Sequence, residues 1–198
     1  MFVLGGLVCA TWLSAQDYQK TAYGIKAAAG GVDVEVQFFT PSVVRVVKSP
    51  QGEHFEKKSL AVVASPGEVG VKVGIKDGAI VMDTKVLQVN LDTSTGAFSY
   101  RTADGKFLLA EKPVEKPFVP FDDAGDATYN VYQAFKLDAD EAIYGLGQLQ
   151  NGKMSQRGVR KNMIQGNVED VSPFFQSTKG YGLYWDNYSP TLFTDNEE

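Results

Sequence analysis

Between Gln148 and Asn167 the chain carries seven side-chain amides: Gln148, Gln150, Asn151, Gln156, Asn162, Gln165 and Asn167. A carboxamide presents two donors and two acceptor lone pairs in one plane. Vicinal sugar hydroxyls, which donate and accept at once, suit that geometry. Arg157, Arg160 and Lys161 add charged donors in the same stretch, and Phe174, Phe175, Tyr181, Tyr184, Trp185 and Tyr188 follow it. Aromatic rings can face the apolar side of a pyranose, or they can alternate into the core of a strand. For most of these aromatics the core reading is the stronger; for the amide-rich loop, binding and ordinary loop structure weigh equally.

Other chemistries have less to work with. "YGLGQLQNG" places glycines at 145, 147 and 152, out of register for the G-x-G-x-x-G dinucleotide loop, and no Gly-Lys-Ser/Thr follows for a P-loop. His54 is the only histidine and sits in the polar stretch "SPQGEHFEKK", so it reads as an exposed loop residue rather than a general base. That leaves too little for a Ser-His-Asp triad or a histidine metal site. The acidic groups Asp122-Asp123, Asp138/Asp140/Glu141 and Glu169-Asp170 match no EF-hand loop and read as solvated turns. No metal, cofactor or catalytic residue is assigned.

The bulk composition sets the frame for these residues. With 198 residues, 43% hydrophobic and 22% charged, the chain is a globular protein with a packed core. A net charge of −5, with no basic cluster among aromatics, argues against nucleic acid and against an anionic membrane surface. Residues 1–15, "MFVLGGLVCATWLSA", are apolar from Phe2 to Leu13 and end on Ser14-Ala15. This run is short for a membrane span and reads as a secretory signal cut before Gln16, although no positive residue precedes Lys20. The lone Cys9 lies within it, behind Val8 rather than the small residue a lipidation signal needs. A mature chain of residues 16–198 would have no disulfide, which with an export signal points to a bacterial periplasm or the cell exterior.

From Tyr18 onward the hydrophobic period is two. "VDVEVQFF" sets Val32, Val34, Val36 and Phe38 on one face; "VKVGI" does so with Val71, Val73 and Ile75, and "VLQVNL" with Leu87, Val89 and Leu91. "AFSY", "KFLLA", "YNVYQAFKL", "PFFQST" and "GYGLYW" follow, bounded by turn residues. Asp77-Gly78 and Asp104-Gly105 read as hairpin turns with positive φ. Pro113, Pro117 and Pro120 suggest an extended crossover between sheet layers. No stretch supports a long amphipathic helix. The fold class is all-β, a sandwich or barrel.

"YGLGQ" (144–148), "NGKMSQRG" (151–158), "QGN" (165–167) and "SPFFQSTKGYGLYWDNYSPTLF" (172–193), with "DTKVLQVNLDTSTGAFSYRTADGKFLLAE" (83–111), resemble the N-terminal domain of glycoside hydrolase family 31, in its bacterial α-xylosidase and α-glucosidase branch. The resemblance covers about Tyr18 to the end of the chain. It implies a galactose-mutarotase-like supersandwich, here short of its last strands after "TLFTDNEE", with the partner being a catalytic (β/α)8 barrel that normally follows in the same chain. The two aspartates of the retaining mechanism belong to that barrel, so the resemblance assigns no catalytic residue here. It implies instead a loop that helps shape the subsite of an oligosaccharide substrate, placed at Gln165, Asn167 and Glu169, with Arg160 as outsider. Xylosyl and glucosyl preference stay undecided. A free-standing secreted carbohydrate-binding module is the alternative; mutarotase activity is suggested by fold alone and ranks below both.

Overall fold

The computed structural model describes residues 18–53 and 58–195; the apolar leader with Cys9, and His54, lie outside the described residues. No helix occurs among them. Strands β1 (Tyr18–Lys20), β2 (Gly24–Ala29), β3 (Val32–Thr40) and β4 (Val43–Pro50) pair in that order as an antiparallel sheet. Strands β5 (Lys72–Lys76), β6 (Ala79–Asp83), β7 (Leu87–Asp92), β8 (Phe98–Thr102) and β9 (Phe107–Lys112) form a meander. After a two-stranded ribbon, β10 (Phe118–Asp123) and β11 (Asp126–Val131), the short β12 (Ala134–Lys136) adds to the outer edge of β9. Then come β13 (Ile143–Gln148), β14 (Arg160–Met163), β15 (Asp170–Ser177), β16 (Gly182–Tyr184) and β17 (Thr191–Thr194). Of these, β13, β15 and β16 make a third sheet, and β14 pairs with β17.

The alternation read from the sequence is what joins the first two sheets. Val32, Val34, Val36 and Phe38 of β3 are buried against Ile80, Met82, Val89, Leu91 and Phe98 of the meander, in one continuous cluster. Fully burying each such side chain contributes about 1.5–3 kcal/mol, so the period-two pattern fixes the register: a slip of one residue would turn every one of them to water. The opposite face of β3 is dressed with polar contacts, including Lys26–Glu35 at 3.6 Å and Gln37 Nε2 donating to Glu35 Oε1 at 2.9 Å. A second, smaller cluster of Ile143, Leu146, Met163 and Phe175 lies under the third sheet; Leu137, Tyr181 and Leu183 pack against both clusters.

Three expectations change. Ile75 shares the core side of β5 with Val73, since their partners Ile80 and Met82 are both buried, yet it is largely exposed: β5 is an edge strand and the facing sheet does not reach it. Asp77 (φ 51°) and Gly78 (φ 77°) form the two-residue turn expected, but at Asp104-Gly105 only the glycine is in the left-handed region. That turn is longer, closed by Thr102 N–H donating to Lys106 O at 2.9 Å, and it shifts the β8–β9 register. The proline-rich segment becomes an irregular approach followed by the β10–β11 ribbon rather than a crossover. Pro120 sits within β10, and its missing N–H is tolerated because that ribbon has free outer edges.

One ion pair ties the two main sheets together. Lys48 of β4 reaches Glu111 of β9 at 2.6 Å, lies 5.3 Å from the Phe98 ring centroid, and is only 17% exposed. Phe98 N–H donates to the same carboxylate at 2.9 Å. Burial is the largest influence on Glu111 and holds its carboxyl above the usual range, against the pull of Lys48. Breaking such a pair strands one charge, whereas removing both charges is nearly free. Lys48→Met is therefore expected to lose about 2 kcal/mol in urea unfolding. Lys48→Met combined with Glu111→Gln, which keeps an acceptor for Phe98 N–H, should recover most of it; a double variant as unstable as the single one would refute the pairing.

Candidate functional site

Gly145 and Gly147 determine where the amide-rich segment begins. Between the pairs Gly145↔Phe175 and Gly147↔Val171, one residue of β13 faces three of β15, a bulge that contains Pro173. The backbones close together there. A Cβ on Gly147 would lie 2.0 Å from Asp170 O and one on Gly145 2.6 Å from Phe174 O, and both glycines have positive φ. Leu146 between them also has positive φ (65°) and points inward, 2% exposed, into the smaller core. The G-x-G is thus a strand-packing device, as its failed phosphate spacing implied. It aims Gln148, the last residue of β13 and the partner of Asp170, at the mouth of a concavity.

That concavity holds about 230 Å³ and is lined by residues 148–150 from the end of β13 and 166–170 from the loop between β14 and β15. Tracing each amide separates structure from presentation. Gln165 folds back: its Nε2 donates to the Asp170 carboxylate and its Oε1 accepts from Val171 N–H at 3.2 Å, so it pins the loop base and does not line the space. Glu169 lines it but is engaged, accepting from Lys161 Nζ and from Gln150 N–H at 3.3 Å. Gln150 Nε2 donates to Val168 O at 2.9 Å. Gln156 is buried, donating to Lys153 O at 3.0 Å and accepting from Asn151 Nδ2 at 2.9 Å. Arg160 and Asn162 lie on β14, outside the lining.

Two amides remain. Among the described residues, the side chains of Gln148 and Asn167 both line the concavity and make no hydrogen bond of their own. Of the four site residues expected from sequence, the structure brings Asn167 and Glu169 together in the lining, uses Gln165 beneath it, and leaves Arg160 apart. Gln148 was visible in the sequence only as one amide among seven; its position at the strand end, opposite Asp170, is what marks it.

The far end of this sheet, at the Ile143↔Ser177 pair, is anchored by Glu141, which the sequence places in a solvated turn but whose side chain is 0% exposed. It accepts from Ser177 Oγ, from Tyr181 OH at 2.7 Å and from Asp138 N–H at 3.1 Å, and Lys179 Nζ lies 3.4 Å away. Burial pushes the Glu141 carboxyl up, but the Ser177 and Tyr181 hydroxyls, the backbone N–H and Lys179 together hold it below the usual range. Burial pulls Lys179 down, and Asp138 and Glu141 more than offset this, leaving it raised. Burial and the adjacent Glu141 both raise Tyr181, so it stays a neutral donor. Lys179 also stands 2.5 Å from Asp138 and 4.8 Å from the Phe107 centroid. Arg157 joins the amide segment to this anchor, donating to the carbonyls of Asp138 (2.8 Å) and Glu141 while pairing with Asp195 at 2.7 Å.

The remaining polar groups serve connections. Tyr188 OH accepts from Leu60 N–H (2.5 Å) and Ala61 N–H (3.0 Å) and donates to Asp186, which also pairs with Arg45, strapping the 59–62 segment to the chain's end. Phe175 and Tyr181 belong to the cores, as the strand-core reading of the aromatics has it. Among the described residues no three His, Cys, Asp or Glu side chains cluster as metal ligands, and no helix is long and apolar enough to cross a membrane.

The sequence profile of the glycosyl hydrolase 31 N-terminal galactose mutarotase-like domain matches residues 33–193. The chain is 31% identical over 170 residues to an alpha-xylosidase of Saccharolobus solfataricus, covering 81% of this chain and 23% of that protein. It is 28% identical over 95 residues to an uncharacterized family 31 glucosidase of Pseudescherichia vulneris, covering 48% of this chain and 17% of the other. Among solved structures, the GH31 alpha-xylosidase of Xanthomonas citri superposes with a TM-score of 0.82 at 31% identity, over 88% of this chain and 19% of that one. A soil-metagenome GH31 alpha-xylosidase complexed with xylose gives 0.75 at 20% identity, over 90% and 29%, a likeness of fold alone. The chain spans less than a quarter of the length of the curated relatives it matches.

Proposed function

The chain belongs to glycoside hydrolase family 31 as its N-terminal galactose mutarotase-like domain, and from that premise we propose that it supplies one wall of a sugar subsite in a retaining α-glycosidase acting on oligosaccharides. The observation that carries this reading is the pair of uncommitted amides, Gln148 and Asn167, on a concavity whose other polar side chains are already hydrogen-bonded. A polar side chain left free at the rim of an otherwise satisfied loop is available to a ligand at no cost in internal bonds. In this reading Asn167 meets the sugar, Glu169 and Gln165 hold the loop that carries it, and bond cleavage falls to a barrel outside these 198 residues. The domain by itself is then inactive, and its place is the periplasm or the cell exterior.

One wall of a pocket binds weakly. Titration of the chain with xylose, glucose or isomaltotriose is expected to give dissociation constants on the order of millimolar. The shifts in amide NMR resonances should concentrate at Gln148 and residues 166–169, and Asn167→Ala should abolish them. Shifts scattered over the surface, or unaltered in Asn167→Ala, would sink the assignment. The free-standing binding module predicts the same location but much tighter binding, so the measured affinity separates the two.

A further inference from the structure

The β10–β11 ribbon is used neither by the core nor by the concavity. Its two strands hydrogen-bond only to each other among the described residues, with Tyr132 N–H extending the ladder to Pro117 O at 2.8 Å. Isolated two-stranded ribbons are marginal in water, so a long one with exposed aromatics calls for a reason. Directly opposed residues of an antiparallel pair point to the same face. The register Phe118↔Val131, Pro120↔Tyr129 therefore defines one face. Two of its residues touch the body, Phe118 packing on the main core and against Tyr129 edge-on and Tyr129 OH donating to Glu53, while Val131 stays 49% exposed.

The other face carries Val119↔Asn130, Phe121↔Thr128 and Asp123↔Asp126, with Tyr132 next in line. Phe121 is 47% and Tyr132 51% exposed. Tyr132, just past the end of β11, lies four residue steps from Thr128, the partner of Phe121, about 14 Å at 3.4 Å per step. The Asn130 amide stands between the two rings and the Thr128 hydroxyl beside Phe121, both exposed and without side-chain hydrogen-bond partners among the described residues. We propose that this face is a second carbohydrate-binding site, distinct from the concavity, on which Tyr132 and Phe121 stack against the rings of a neutral glycan chain while Asn130 and Thr128 bond its hydroxyls.

Charge selects the occupant. The ribbon's turn carries Asp122, Asp123 and Asp126, and the nearest basic residues in sequence, Lys116 and Lys136, lie at its base. That field repels uronate polysaccharide, nucleic acid and anionic lipid. It equally repels a second copy, whose ribbon would set three carboxylates against three, and Pro120 removes a donor that strand pairing between copies would use. A neutral glycan meets no such penalty, and carboxylates accept bonds from its hydroxyls. The ligand class rests on the proposed function; the location does not.

Affinity electrophoresis of the full chain tests it, with dextran, xyloglucan or polygalacturonate cast in the gel. The expected result is retardation by a neutral glycan and none by polygalacturonate. Tyr132→Ala and Phe121→Ala should each weaken it on the order of tenfold, the loss of one stacking face. Tyr132→Phe should keep it, because the ring and not the hydroxyl does the stacking, and Thr128→Glu, an exposed change that leaves the ribbon folded, should weaken it. Asn167→Ala, which removes only the weak contribution of the concavity, should leave most of the retardation in place. Ribbon variants that migrate like the parent overturn the proposal, as does retardation lost only in Asn167→Ala, which would leave the concavity as the sole site. Concentration-dependent self-association that disappears in Tyr132→Ala would overturn it in favour of a contact between copies. Failure of the titration at Asn167 with retardation intact would refute the proposed function and leave the ribbon site standing.

Discussion

Gly147→Ala is expected to lower the thermal midpoint by roughly 6–12 °C, from a loss of about 3 kcal/mol in a chain of this size. Two costs add. A Cβ at positive φ costs about 1–2 kcal/mol, and this one would also meet Asp170 O at 2.0 Å, Ser172 N at 2.8 Å and Val171 Cα at 2.8 Å. All three are backbone atoms of β15, so no side chain can rotate away; the strands must part. Parting them also displaces Gln148 from the concavity. Gly125→Ala separates the two costs, because Gly125 has the same φ (101°) with nothing within 4 Å of its Cβ position, and only about 1–2 kcal/mol should be lost there. If both variants melt alike, the close approach of β13 to β15 contributes nothing.

Glu141→Ala should be about as damaging, about 2–4 kcal/mol, since it leaves the Ser177 and Tyr181 hydroxyls without their acceptor and Lys179 with only the half-exposed Asp138 as partner. Glu141→Gln keeps an oxygen for both hydroxyls and should lose about 1–2 kcal/mol. The pH dependence follows from the direction of the shift. The Glu141 carboxyl is held below its unfolded value. Its contribution is therefore fully present above the ordinary carboxylate pKa of about 4.3 and disappears as pH falls through the lower folded-state value. Urea midpoints measured from pH 6 downward, through about 4.3, should fall more steeply for the parent than for Glu141→Gln. Parallel curves would show that the carboxylate is not the group stabilised.

What could be read in the sequence was what repeats. Val32, Val34, Val36 and Phe38, and Leu87, Val89 and Leu91, announced both sheets of the sandwich because burial on one face imposes a period of two. Ile75 obeyed the same period and is exposed all the same; alternation reports a face, not whether another sheet covers it. The ribbon was hidden because prolines dominate its approach, and Pro120 is compatible with a strand only where an edge is free. In the site, the composition of residues 148–167 pointed to the region but not to the residues. Gln165 and Asn167 are the same kind of side chain two positions apart, and only the fold of the loop ties one back to Asp170 and Val171 and leaves the other on the rim. The Glu141 anchor was illegible, because its partners Ser177 and Tyr181 arrive from thirty-six and forty residues away.

The two hydrophobic clusters divide the molecule unequally. Among the described residues the sandwich cluster holds fifteen buried residues and the cluster under the third sheet four, with only Leu137, Tyr181 and Leu183 packed against both. Cooperative units of a native protein open at free energies that track the apolar contact each retains. The third sheet thus has the composition of a separate, weaker unit, able to loosen and re-form while the sandwich stays shut. Under the proposed function, a sugar bound at Asn167 would select the closed form of this smaller unit, and the energy of that selection would be drawn from local ordering rather than from the stability of the whole domain.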